Sequence, residues 1–164
     1  MKLNYQKLKT KSSLIKSATG LSLKEFDFLA ISFIKKWEHY IGRYTFEGKK
    51  RQRTRAFRND NRFKCPEDML VFILYEYRHN PTQDFMGLHF ELTQPKVALW
   101  LKVLEPILEA SLKELRLLPE RDTGGLNERL IESVTVLLDG SERPINRPLY
   151  DQDEYYSGKK SNTQ

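Results

Sequence analysis

Between Ser22 and Ile41 apolar residues recur at every third or fourth position: Leu23, Phe26, Leu29 (or Ala30), Phe33, Ile34, Trp37 and Ile41. That spacing lines one face of an α-helix. Ser22, followed three residues later by Glu25, is a capping box that starts it. Lys24, Asp27, Lys35, Lys36 and Glu38 fall mostly off the stripe, so the helix is amphipathic and its aromatic residues read as core. Residues 1–20 carry scattered lysines with little periodicity and are expected to be mostly irregular.

A second apolar block, "CPEDMLVFILYEYRHN", opens at Pro66, with Glu67 and Asp68 in the first turn, where acids suit the helix dipole. Met69, Leu70, Phe72, Ile73 and Tyr77 give it a face broad enough to lie at the centre of a small bundle. Asn80-Pro81 ends it, because the residue before proline leaves the right-handed α region. Thr82 then caps a short helix running through Phe90, expected to turn Phe85, Leu88 and Phe90 inward. A tight turn at Glu91-Leu92 leads to Thr93, a second N-cap, and a new helix at Gln94-Pro95. Two helices joined by a turn of three to four residues, with the small Gly87 in the first and apolar Leu92 and Val97 after it, match helix-turn-helix geometry. Gly87 lets the helices cross closely and Leu92 plugs their angle. The apolar stripe continues through Trp100, Leu101 and Leu104. At Pro106 it is expected to kink or restart, before Ile107, Leu108, Leu112 and Leu115. This stripe serves equally as core or as a homodimer face.

After Pro119 and Gly124-Gly125 the period changes. Val134, Val136 and Leu138 alternate as a strand does, ending at Asp139 in "LLDGSERPINRP". The final stretch, "RPLYDQDEYYSGKKSNTQ", is polar.

Charge changes this picture. The 164-residue chain has a formal net charge of +6, but residues 1–64 hold 17 Lys/Arg against 5 Asp/Glu, and residues 65–164 hold 11 against 17. A basic front joined to an acidic back suits a polyanion partner. The densest part runs from Lys49 to Lys64, where Lys49, Lys50, Arg51, Arg53, Arg55, Arg58, Arg62 and Lys64 face the single acid Asp60. So many like charges do not enter a core unpaired. As an arm they can track phosphates or enter a minor groove. At the start of the second helix of the turn motif, Thr93, Gln94 and Lys96 are the exposed polar candidates. Glutamine can bond adenine with both amide atoms, and lysine can reach guanine or a phosphate. A lone cysteine, Cys65, and three scattered histidines, His39, His79 and His89, offer no disulfide and no zinc site. The basic N-terminus lacks the apolar core of a signal peptide, and no apolar run is long enough for a membrane.

The order of these parts, and above all "DGSERPINRP…YYSGKK", resembles the N-terminal half of bacterial insertion-sequence transposases of the DDE class, over roughly residues 21–164. The resemblance implies a mainly α fold: a small helical bundle containing a helix-turn-helix, with a basic arm and a C-terminal tail carrying one isolated strand of an incomplete ribonuclease-H-like domain. The corresponding divisions are a basic N-terminal segment (1–20), an amphipathic helix (21–47), a basic arm (48–64), the helix-turn-helix domain (65–118) and the start of a truncated catalytic domain (119–164). It further implies binding of double-stranded DNA at the element's terminal inverted repeats, in the bacterial cytoplasm at the nucleoid. Asp139 matches the first acid of the family's Mg²⁺-binding triad. The other two acids belong to later elements of the family's domain, and Asp151, Asp153 and Glu154 lie in a polar loop that does not replace them. One carboxylate holds Mg²⁺ poorly, so no metal or other cofactor is expected for this chain alone and Asp139 is inactive by itself. The chain then reads as a first reading frame or a truncated copy, DNA-binding but not catalytic. Two alternatives stand beside it: one half of a split enzyme, with the remaining transposase polypeptide completing the site, and a small helical repressor.

Overall fold

The computed structural model describes residues 3–52 and 62–119. The described residues are mainly helical. Six helices follow one another: α1 (Tyr5–Leu8), α2 (Ser12–Thr19), α3 (Leu23–Arg43), α4 (Pro66–His79), α5 (Gln83–Phe90) and α6 (Gln94–Glu114). The expected strand at 134–138, Asp139 and the whole of 119–164 beyond Pro119 lie outside the described residues, as do Arg53, Arg55 and Arg58. Among the described residues no helix is long and apolar enough to cross a membrane.

The N-terminal stretch corrects the sequence reading, for residues 5–8 and 12–19 are helical. Asn4 caps α1 by accepting from the Lys7 amide at 2.9 Å. Helix α2 presents Ile15, Ala18 and Thr19 to the interior and ends at Gly20, whose φ of 81° is left-handed. The apolar positions are few, and burial against other helices makes them helical. Tyr5 stacks on Phe26 with ring centroids 5.2 Å apart, and its amide donates to the buried Asp68 carboxylate at 2.8 Å. A marginal four-residue helix is stabilised by tertiary contact of this kind.

Helix α3 begins as its sequence dictates. Ser22 and Glu25 form both halves of the capping box. Phe26, Leu29, Ala30, Phe33 and Trp37 are buried, with Leu23, Ile34 and Ile41 packed at the margin. At the centre stands α4. Leu70, Val71, Phe72 and Ile73 are four consecutive residues with no exposed surface, which requires neighbours on every side. Tyr77, expected on that face, is 62 % exposed, with its hydroxyl donating to the Glu105 carboxylate of α6 at 3.3 Å. Asn80 ends α4 at φ 44° and ψ 49°.

Helix α6 is unbroken through Pro106. Its apolar side continues on both sides of the proline, with Val103, Leu104, Ile107 and Leu108 buried while Pro106 itself is exposed. A solvent-facing proline leaves the orphaned carbonyl one turn back to water, so of the two expectations, kink or restart, the helix does not restart. Glu114 closes the bundle at the far end. Its carboxylate meets Lys36 at 2.6 Å and Lys35 at 3.3 Å, and accepts from Ser32 at 3.2 Å, tying α6 to α3.

Candidate nucleic-acid interface

Helices α5 and α6 are joined by three residues. Thr82 caps α5, accepting from the Phe85 amide. Glu91 follows the helix at φ 53° and ψ 46°, a left-handed conformation, and Thr93 precedes α6 in extended conformation. The turn is fixed by backbone. The Leu92 amide donates to the Gly87 carbonyl at 2.9 Å, and a Cβ built on Gly87 would stand 2.5 Å from the Leu92 carbonyl oxygen. Glycine is required there for close approach rather than for its φ.

Burial phases α5 differently from the sequence expectation. Met86 and Phe90 are buried, whereas Phe85 is 49 % and Leu88 72 % exposed. Four large apolar residues lie around this short helix, so period alone does not choose a face. Packing on α4 does: Phe90 meets Phe72 edge-on at 5.0 Å and Tyr75 at 5.6 Å, which turns positions 86 and 90 onto the core. Leu92 packs against the core margin, and Val97 and Trp100 continue the seam on α6.

Thr93, Gln94 and Lys96 are all exposed at the start of α6. Thr93 makes no side-chain capping bond. Gln94 donates its amide nitrogen Nε2 to Oε1 of Gln83, the first residue of α5. Sequence reasoning missed Gln83 altogether; a glutamine directly after the Thr82 cap was the available signal.

The basic segment has an ordered root. After α3 the chain makes a tight hairpin over residues 43–51, with a bridge between Tyr44 and Lys50. The Thr45 amide donates to the Lys49 carbonyl at 2.8 Å, and the Arg51 amide to the Arg43 carbonyl at 2.8 Å. Gly48 takes φ 78° at the turn, in open space. Arg51 does not simply point outward: its Nε donates to the Tyr44 carbonyl at 2.8 Å, so part of its role is to hold the hairpin. Lys49 and Lys50 are exposed, Lys49 beside Glu47 at 3.2 Å.

Aromatic rings anchor both ends of the segment on α6. Phe46, in the hairpin, meets Trp100 edge-on with centroids 4.8 Å apart. Phe63, just past the segment, meets the same indole at 4.8 Å from centroid to centroid. Trp37 of α3 lies 5.9 Å from Trp100, and Phe63 continues inward to Phe72 at 5.3 Å. Arg62 adds a contact to Glu91 at 3.4 Å, in the turn between α5 and α6. The two flanks of the charged stretch thus share one anchor, Trp100 of α6.

Other chemistry is sparse. Among the described residues no group of three or more His, Cys, Asp or Glu side chains is placed to hold a metal. Cys65 is a free, half-buried thiol, and burial pushes its pKa up to about 12, away from nucleophilic use. Comparison with protein-family models, with curated proteins and with solved structures gives no match.

Proposed function

We propose that α5 and α6 are a helix-turn-helix and that the chain is a double-stranded-DNA-binding module of the DDE-transposase type, recognising terminal inverted repeats without cutting them. The observation that carries this reading is the α5–α6 junction. A short turn locked by Gly87 and Leu92 leaves the polar start of α6 exposed as a block, while Val97 and Trp100 seat one face of the helix in the core.

The mechanism follows from that placement. The start of α6 enters the major groove. Gln94, held by Gln83, retains a second amide N–H and its own Oε1. Adenine offers N7 as acceptor and N6–H as donor on its groove edge, the complement of those two atoms. A residue already oriented by a neighbour loses less freedom on binding. Thr93 and the Gln94 backbone amide face a phosphate, since Pro95 has no N–H and the Lys96 amide is held by the Thr93 carbonyl, with the Lys96 side chain close behind for guanine or the same strand. Lys49, Lys50 and Arg51, with Arg53, Arg55 and Arg58, supply sequence-independent phosphate attraction.

Catalysis is not part of this reading. Asp139 is the one triad acid that the resemblance assigns within residues 1–164. The transposase polypeptide carrying the other acids and a second copy of the chain are the proposed protein partners.

Equilibrium binding to the terminal duplex of the encoding element and to a scrambled duplex, over a salt series, tests the proposal. The terminal duplex should bind tighter at physiological salt. Gln94→Ala should reduce that preference by about ten- to a hundredfold, as loss of a bidentate base contact does. Arg53→Ala with Arg55→Ala should instead weaken both duplexes alike and flatten the salt dependence by about 0.9 per lost phosphate contact. Equal affinity for both duplexes in the unaltered chain would refute a helix-turn-helix reader.

A further inference from the structure

We propose that the hairpin at residues 43–51 is a second, positioned DNA contact, and that Phe46 is the residue that positions it. In this assignment Lys49 and Lys50 hold the phosphate backbone beside the groove that α6 enters. The inference rests on the duplex-binding reading and adds to it a fixed geometry between the two contacts.

Three observations carry it. Phe46 and Phe63 both pack edge-on against Trp100, so the segment between them leaves and returns at one point on α6. Arg62 and Glu91 join the returning end to the turn that precedes α6. The hairpin itself is closed by backbone bonds and by Arg51 Nε on the Tyr44 carbonyl. Trp100 lies six residues beyond Gln94, about 9 Å along a helix axis. That is less than the roughly 12 Å width of a B-DNA major groove. A helix whose first turn reads base edges therefore brings the hairpin root to within reach of the flanking strand. Lys49 and Lys50 follow Phe46 by three and four residues and are exposed.

Ordering before binding is what separates this from a loose basic tail. Lysines on a free loop also find phosphates, but they give up conformational freedom when they do. On a pinned hairpin the backbone that carries the lysines has already given up its share. Phe46 carries no charge and touches no DNA in this arrangement, yet it should control how much the two lysines contribute.

The test is a double-mutant cycle on duplex affinity in the full chain. Lys49→Ala with Lys50→Ala should cost about tenfold at physiological salt and make the log–log salt slope shallower by about 1.8. In a Phe46→Ala background the same pair should cost only about two- to threefold, while the loss caused by Gln94→Ala is unchanged. Equal lysine losses in the two backgrounds overturn the positioning role and leave the duplex-binding reading intact. Failure of the unaltered chain to bind duplex removes both. Should Phe46→Ala lose its helical circular dichroism, a Gly-Ser insertion between Glu47 and Gly48 decides the matter. It keeps Phe46 on Trp100, enters open space at the turn, and displaces the lysines by up to about 7 Å. The lysine contribution should fall as it does on loss of Phe46; an undiminished contribution overturns the inference.

Discussion

Two residues one helical turn apart at the α5–α6 junction constrain its backbone in different ways. Gly87 faces the Leu92 carbonyl so closely that any side chain must move backbone, which costs about 1–3 kcal/mol. Glu91 holds a left-handed φ of 53°, which costs an L-residue about 1–2 kcal/mol. Glycine there would relieve that cost while adding about 0.5–1 kcal/mol of unfolded-state entropy. The contact with Arg62 that it gives up is half exposed and contributes about 0–1 kcal/mol. Denaturant titration should therefore find Gly87→Ala clearly destabilised and Glu91→Gly within about 1 kcal/mol of the unaltered chain. A neutral Gly87→Ala would mean that the turn is not locked as described. The same pair of residues explains what sequence could reveal of this site. Gly87, Leu92 and the caps at Thr82 and Thr93 mark the turn and its two helices. Which face of α5 turns inward is not written there, because Phe85, Met86, Leu88 and Phe90 surround the helix. Packing of Phe90 on Phe72 and Tyr75 of α4 settles it.

At the scale of helices, Glu114 is the clamp between α3 and α6. Hydrogen bonds from Lys36 and Lys35 hold its pKa down to about 2 from an ordinary 4.5. A carboxyl with a depressed folded pKa stabilises the fold above its unfolded value and stops doing so as pH falls through the folded one. Urea midpoints should accordingly decline between about pH 4.5 and 2, and Glu114→Gln should flatten part of that decline. Glu76 has the opposite sign. Burial, then the charge of Glu105, raises its pKa, and its buried Oε2 has no hydrogen-bond partner among the described residues. Its protonation is favoured in the fold, so Glu76→Gln should raise the thermal midpoint at neutral pH by a few degrees. A lowered midpoint would show that the charge has a partner in solution. Helix legibility divides along similar lines. The capping box at Ser22 and Glu25 and the proline start at Pro66 are local signals, and both helices begin where they say. The helices α1 and α2 carry only the Asn4 cap and the closing Gly20, with few apolar positions to support either. Leu8, Ile15 and Ala18 become core only because α4 is there to cover them. Pro106 is a local signal that misleads, since its cost depends on whether the lost carbonyl faces water.

Over the whole chain the charges are polarised. The front 64 residues are strongly basic, whereas α6 mixes Lys96, Lys102 and Lys113 with Glu105, Glu109 and Glu114. A basic front of this kind draws a polyanion toward itself before contact. With Asp139 as the sole assigned triad acid, the 164-residue chain should show no Mg²⁺-dependent strand cleavage or joining on terminal duplexes. Robust cleavage abolished by Asp139→Ala would refute the non-catalytic reading. The aromatic anchor has one more consequence, an optical one. Both tryptophans of the chain, Trp37 and Trp100, sit against Phe46, within 6.2 Å and 4.8 Å of its ring. Their intrinsic emission therefore reports a single place, the root of the hairpin, and is blind to fraying of the N-terminal helices. An emission change on heating that precedes the loss of far-ultraviolet ellipticity would mark the hairpin coming off α6 while the bundle still stands.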